Sequence, residues 1–173
     1  MSWTLRITEA LVKRMRRDLQ RRHEFAGERV GFLMTKIGNQ HSANMKLVLG
    51  VDYWPVPDDS YINDPSVGAR YEASVHRGLM ERAHAENLGM FHVHAHEHGG
   101  CPHFSGIDLD CIEKLVPSLR TVQPRQAHGA LLFSHDDMAA ACWLPEKQGP
   151  AGGGRVVVVG RPIWSRTMEE YDV

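Results

Sequence analysis

The sequence predicts an α/β fold of the sandwich kind, helices laid on a sheet. Three observations carry that expectation. Blocks with apolar residues at helical spacing alternate with short β-rich runs. No segment repeats and no long linker divides the chain. The 173 residues, 42% hydrophobic and 24% charged, suffice for one core, so a single domain over residues 1–173 is the simplest organisation.

Each element follows from its own pattern. In RITEALVKRMRRDLQRR, residues 6–22, Thr8 is placed to cap a helix whose Leu11, Met15 and Leu19 recur on one face while arginines cover the rest. ERVGFLMTKIG (28–38) and MKLVLGVDYWPV (45–56) read as a strand pair around the turn-like GNQHSAN (38–44). The proline-, glycine- and aspartate-rich stretch 55–71 reads as an exposed connection able to carry substrate contacts. A helix is expected over 72–87, a strand over 88–94 and another helix over 106–120. HGALLFSH (128–135) and MAAACWLP (138–145) are further strand material. After the flexible KQGPAGGG (147–154), RVVVVGRPIW (155–164) reads as one buried strand.

Composition excludes several classes. A formal charge of −1 exerts no global pull on nucleic acid or anionic lipid, so neither is expected as a partner, and no membrane span is expected. The basic helix face is read as a solvated arginine face. Cys101, Cys111 and Cys142 are an odd set without framework spacing, and no charged-then-apolar leader opens the chain, which points to a reducing cytoplasm.

The chemistry concentrates in FHVHAHEHGGCPHFSGID, residues 91–108. His92 and His94 sit two apart at a strand end, so both side chains leave on one face and can grip one ion. Imidazole suits zinc, and a catalytic zinc typically keeps three protein ligands and one open position. Asp108, beyond a glycine-containing loop at the start of the next helix, supplies a third ligand if the chain folds back. Taken singly these pieces are ordinary: SGID is also a helix N-terminus with Ser105 as cap, and a tract of His92, His94, His96, His98 and His103 is also a solvated loop.

The run Gly89 to His94, followed by Ser105, Gly106, Ile107 and Asp108, resembles the JAMM motif of the JAB/MPN metalloproteases, in which G-x-x-H-x-H ends a strand and S-x-x-D opens a helix. Glu28, Arg29, Val30, Gly31, Phe32 and Leu33 resemble that family's upstream E-x-x-G-x-L. The likeness runs in element order from about Glu28 to Trp164. It implies a central mixed sheet flanked by helices, with one zinc at a strand end and a helix N-terminus. It further implies Glu28 as general acid/base, His92, His94 and Asp108 as zinc ligands, and Ser105 as a hydrogen-bond donor near the oxyanion.

Two features depart from the family pattern. Ala95 stands where proline commonly follows the second histidine, and the loop to Ser105 is longer than the common form. A register using His96 restores most of that length but requires the strand to run two residues further, and the Gly-x-x-His match favours His92 and His94. His96, His98, Cys101 and His103 then line the loop. A zinc deaminase fails because the P-C-x-x-C half is absent, and a cupin barrel conflicts with three helical blocks.

The resemblance implies a zinc-dependent (iso)peptidase acting at the C-terminus of a ubiquitin-like protein, either removing it from conjugates or maturing its precursor. The alternatives are a protease processing sulfur-carrier proteins and a noncatalytic MPN scaffold that binds a ubiquitin-like partner. The short chain looks more like a bacterial stand-alone member than a subunit of a large eukaryotic assembly, and its HVHAH…FS..D form resembles members encoded beside ubiquitin-like activating and conjugating enzymes, including those of antiphage (antiviral defence) operons. An extended tail held by β-augmentation, with the segment from Tyr61 to Tyr71 as part of its groove, is the expected mode of binding.

Overall fold

The computed structural model describes residues 2–38 and 44–168. Its first element is absent from the sequence reading: strand β1 (Ser2–Thr8), ahead of the expected helix. Alternation marks it, since Trp3, Leu5 and Ile7 are buried while Arg6 and Thr8 are exposed. Helix α1 (Glu9–Leu19) follows at once, and the Thr8 hydroxyl accepts a hydrogen bond from the Leu11 N–H. An eleven-residue helix is marginal by itself. Burial of Leu11, Val12, Met15 and Leu19, each contributing about 1.5–3 kcal/mol, holds it on the sheet.

Strands β2 (Gly31–Ile37) and β3 (Met45–Pro55) pair antiparallel, with a bulge between Met34 and Thr35. Residues 39–43 of the expected turn between them lie outside the described residues. The connection 55–71 is less exposed than its composition suggests, because Val56 and Tyr61 are buried and Tyr61 bridges to Tyr71. Helix α2 (Ala73–Glu86), strand β4 (Gly89–Ala95), helix α3 (Gly106–Val122) and strands β5 (His128–Phe133) and β6 (Met138–Trp143) follow in the expected order.

The last expected strand is in fact two, β7 (Gly154–Val159) and β8 (Trp164–Thr167), folded back antiparallel. Val156 and Val158 are buried but Val159 is exposed, so the valine run packs by one face only. The glycine-rich stretch before it is anchored: Ala151 N–H donates to Cys142 O at 2.7 Å and its carbonyl accepts from the Trp3 indole at 2.7 Å.

Together the strands form one mixed sheet in the order β6-β5-β4-β2-β3-β1-β7-β8, parallel at β4/β5, β1/β3 and β1/β7. α1 packs on one face, against Leu5, Leu33, Phe91, Val93 and Leu131. α2 and α3 pack on the other, α2 against Phe32, Met34 and Met90 and α3 against Ala130 and Leu132. The fold is therefore α/β with three helices among the described residues, none of them long and apolar enough to cross a membrane. Because β4 runs antiparallel to β2 and parallel to β5, the end of β4, the approach to β2 and the start of α3 share one rim of the sheet.

Candidate metal centre

Period-two alternation along β4 sends Phe91 and Val93 toward α1, and Met90 and the histidines toward α2 and α3. The ladder does not stop at Ala95, since His96 N–H donates to Phe133 O at 2.9 Å. His92, His94 and His96 consequently share a face, with successive ring centroids 5.3 and 5.2 Å apart.

Across this rim α3 begins with a capping box. The Ser105 hydroxyl accepts from Asp108 N–H at 3.2 Å, while Asp108 Oδ2 accepts from Ser105 N–H at 2.7 Å. That reciprocal pair aims the Asp108 carboxylate back at β4. Oδ1 lies 3.1 Å from His94 Nε2, and Oδ2 lies 3.3 Å from His96 Nε2.

Glu28 arrives from a third segment. Gly31 pairs with Val93, and continuing that antiparallel register brings Glu28 level with His96. One ligand atom each of Glu28, His94 and His96 lies within 4.8 Å of the others, a group able to hold a metal ion. Gly31 itself is required by packing: a Cβ there would meet the Tyr53 hydroxyl at 2.1 Å.

The approach to β2 is clamped by the 55–71 connection. Glu28 N–H donates to Gly68 O at 3.1 Å, and Val30 both donates to and accepts from the Tyr61 hydroxyl. Between them Arg29 is buried over the Tyr61 ring and ion-paired to Asp58, with Asp18 at 3.8 Å.

The electrostatics suit a cation. Burial pushes the Asp108 carboxyl up, but the facing His94 ring and the Ser105 hydroxyl and N–H outweigh it and hold the group ionised, below the usual carboxylate range. Burial, with His94 adding to it, pushes His92 down to about 3, so its imidazole is neutral. Both ring nitrogens of His94 are shut from solvent without a partner in hydrogen-bonding geometry. A buried imidazole beside an ionised carboxylate offers donors of the kind that can hold a metal ion.

Of the five site residues expected from the sequence, Glu28, His94, Ser105 and Asp108 meet at this rim. His92 lies one pair deeper on the same face, packed edge-on against Phe32 at 5.7 Å with its buried Nδ1 also unpartnered, and His96 stands beside Asp108 and Glu28. The His-x-His-x-His alternation is the signal for His96. His98, Cys101 and His103 are exposed, on a loop held by Ser134 Oγ donating to Gly100 O at 2.6 Å.

A cavity of about 590 Å³ opens onto the centre, lined by Glu28, His92, His94, His96, Ser105 and Asp108 and walled by apolar Val67, Tyr71, Met80, Ile107 and Leu115. The segment from Tyr61 to Tyr71 thus contributes to the wall through Val67, Gly68, Ala69 and Tyr71. No protein-family model matches the chain, and no curated protein matches it.

Proposed function

We propose that the chain is a zinc-dependent (iso)peptidase of the JAB/MPN type, cleaving the bond at the C-terminus of a ubiquitin-like protein. The observation that carries the reading is the meeting of Glu28, from a separate segment, with His94 and His96 under one Asp108 carboxylate. In this reading His94, His96 and Asp108 hold the ion, with His96 in the role the sequence resemblance gave to His92. When bound, zinc lowers the pKa of water from 15.7 to about 7.

The chain's own residues do the rest. Glu28, within reach of both histidines yet carried on its own clamped segment, accepts a proton from the attacking water and returns it to the leaving nitrogen. The Ser105 hydroxyl accepts from Asp108 N–H to cap α3, and its O–H proton, which can face the Asp108 carboxylate, turns to donate to a developing oxyanion. The apolar walls of the 590 Å³ cavity receive an extended tail and exclude water from it. The partners in this reading are the ubiquitin-like protein and its conjugates, and a cytoplasmic setting beside activating and conjugating enzymes accords with it.

One experiment measures zinc content, melting temperature and cleavage of a ubiquitin-like fusion together. The wild type is expected to hold about one zinc. His94→Ala, His96→Ala and Asp108→Ala are expected to lose it, while His92→Ala keeps it. Glu28→Gln is expected to keep zinc and fold but lose about 10²- to 10⁴-fold in turnover. Zinc that survives His96→Ala but not His92→Ala restores the other register. Binding of zinc and a ubiquitin-like partner without cleavage favours the scaffold.

A further inference from the structure

Helices cover only part of the sheet. α1 lies on one face, while α2 and α3 cover the other over β6, β5, β4, β2 and the end of β3 at Trp54. On that second face the rest of β3, with β1, β7 and β8, carries no helix among the described residues. Register fixes what is left open. One row across the strands runs Lys36, Leu49, Arg6, Val157 and Ser165, and the next runs Leu47, Thr4, Arg155 and Thr167.

Two features set this face apart from an ordinary solvated one. β1 runs parallel to both β3 and β7, and parallel strands are ordinarily covered on both faces. Aliphatic side chains also stand where a face left to water carries polar ones: Leu47, Leu49 and Val157 are half-buried, and Val51 and Val159 are each 46% exposed. The charges on it have one sign. Arg6, Lys36 and Arg155 are exposed and make no ion pair among the described residues. The five strands β1, β2, β3, β7 and β8 contain a single carboxylate, Asp52, which Arg14 and Arg82 already hold at 2.7 and 2.8 Å. At the margins Glu9 is paired with Lys13 and Glu86 with Arg82.

A second copy of the chain is a poor cover, because two-fold pairing sets one patch against itself and would oppose three cations to three cations. Charge complementarity selects an acidic partner, and the aliphatic rows select one with an apolar side. We propose that this face docks an acidic amphipathic helix of another protein, with its apolar stripe over Leu49 and Val157 and its carboxylates on Arg6, Lys36 and Arg155. The dimensions accord with this: four strands at about 4.8 Å spacing span roughly 14 Å, room for one helix of about 10 Å diameter in the layer that α2 and α3 occupy. The inference is independent of the peptidase reading.

The test is fluorescence anisotropy of the full chain with a fluorescein-labelled peptide of about 18 residues, long enough to hold a helix, with leucines on one face and glutamates flanking them. The controls are the same peptide with lysine for every glutamate and a scrambled acidic peptide of the same composition. The acidic helix is expected to bind about tenfold tighter than the lysine helix, the combined effect of about three exposed charge pairs, and to weaken with added salt. It is also expected to bind tighter than the scrambled peptide, which has lost the apolar stripe. Arg6→Glu is expected to weaken binding about tenfold, whereas Arg17→Glu, the same charge change on exposed α1, leaves it within about twofold. Melting temperatures check that each variant folds, and Arg155→Glu gives the same reading if Arg6→Glu does not. Equal affinity for the acidic and lysine helices, equal affinity for the scrambled peptide, an equal loss in Arg17→Glu, or no binding of the acidic helix overturns the proposal. So does any of three rival occupants: a dimer in sedimentation that Arg6→Glu dissociates, phosphatidylserine vesicles bound where the helix is not, or helix binding that appears only once residues 169–173 are removed.

Discussion

His128, at the start of β5, is fully buried, with Nδ1 accepting from Met90 N–H at 3.3 Å and Nε2 facing Gln123 O at 2.9 Å. Those partners require one neutral tautomer, with the proton on Nε2. Burial pushes its pKa down to about 4, so below about 6.5 the unfolded chain takes a proton that the folded chain refuses. Stability from this residue is complete above that value and falls by about 1.4 kcal/mol per pH unit until pH reaches the folded value. Between pH 7 and pH 5 the metal-free wild type is therefore expected to lose about 2 kcal/mol more than His128→Asn, measured by urea unfolding. Parallel losses in the two proteins would remove His128 as the cause. At this scale the sequence was legible for the helix caps at Thr8 and Ser105 and the place of Asp108 in the first turn, which depend on near neighbours. Spacing does not distinguish His92 from His96, because period-two geometry puts both on one face, and the contact of Asp108 with His96 comes from another element.

Among the elements, the 55–71 connection differs most from its sequence reading. Its polar composition marks a loop, yet Tyr61 and Asp58 turn it into the clamp that sets Glu28. Arg29 is nearly inaccessible and two of its nitrogens, Nε and Nη1, have no partner, so its ion pair with Asp58 carries a desolvation cost. Asp58→Ala is expected to destabilise by about 3 kcal/mol, because it leaves a buried charge with only Asp18 nearby. Arg29→Met combined with Asp58→Ala is expected to recover most of that loss, since an apolar side chain of similar volume needs no partner. A double variant less stable than Asp58→Ala alone would show that the pair is a net source of stability. The arginines of α1 carry the same lesson. Arg14 and Arg17 are solvent-exposed as the solvated face implies, but Arg14 also reaches Asp52 and Tyr53 O and Arg16 the β5–β6 turn, contacts that no local pattern encodes.

For the molecule as a whole, β1 joins the two halves of the sheet, parallel to β3 on one side and β7 on the other. The ends of the sheet also approach each other: Arg166 of β8 pairs with Asp137 beside β6, and Ala140 N–H points at Met168 Sδ at 3.2 Å. Trp3 sits at this junction, buried, bonded to Ala151 O and packed on Gly154 so closely that a Cβ there would overlap its ring at 2.1 Å. Trp3→Ala is expected to cost about 3–5 kcal/mol, and Trp3→Phe much less, chiefly about 1 kcal/mol or more for the unpaired Ala151 carbonyl. Urea unfolding followed by far-UV circular dichroism checks both, and a cost below about 1 kcal/mol for Trp3→Ala would deny β1 that central place.

The sequence by itself determined the α/β alternation, the strand pair 28–38 and 45–56, the helices and the pairing of a histidine strand with a capped helix, since periodicity and capping are properties of adjacent residues. The tertiary structure alone decided that the sheet opens with β1, that the final valine run splits into two strands, and that His96 stands beside Glu28, His94 and Asp108. Those outcomes depend on which strands become neighbours and in what register. Register is set by long-range burial and hydrogen bonding, which residue spacing along the chain does not record.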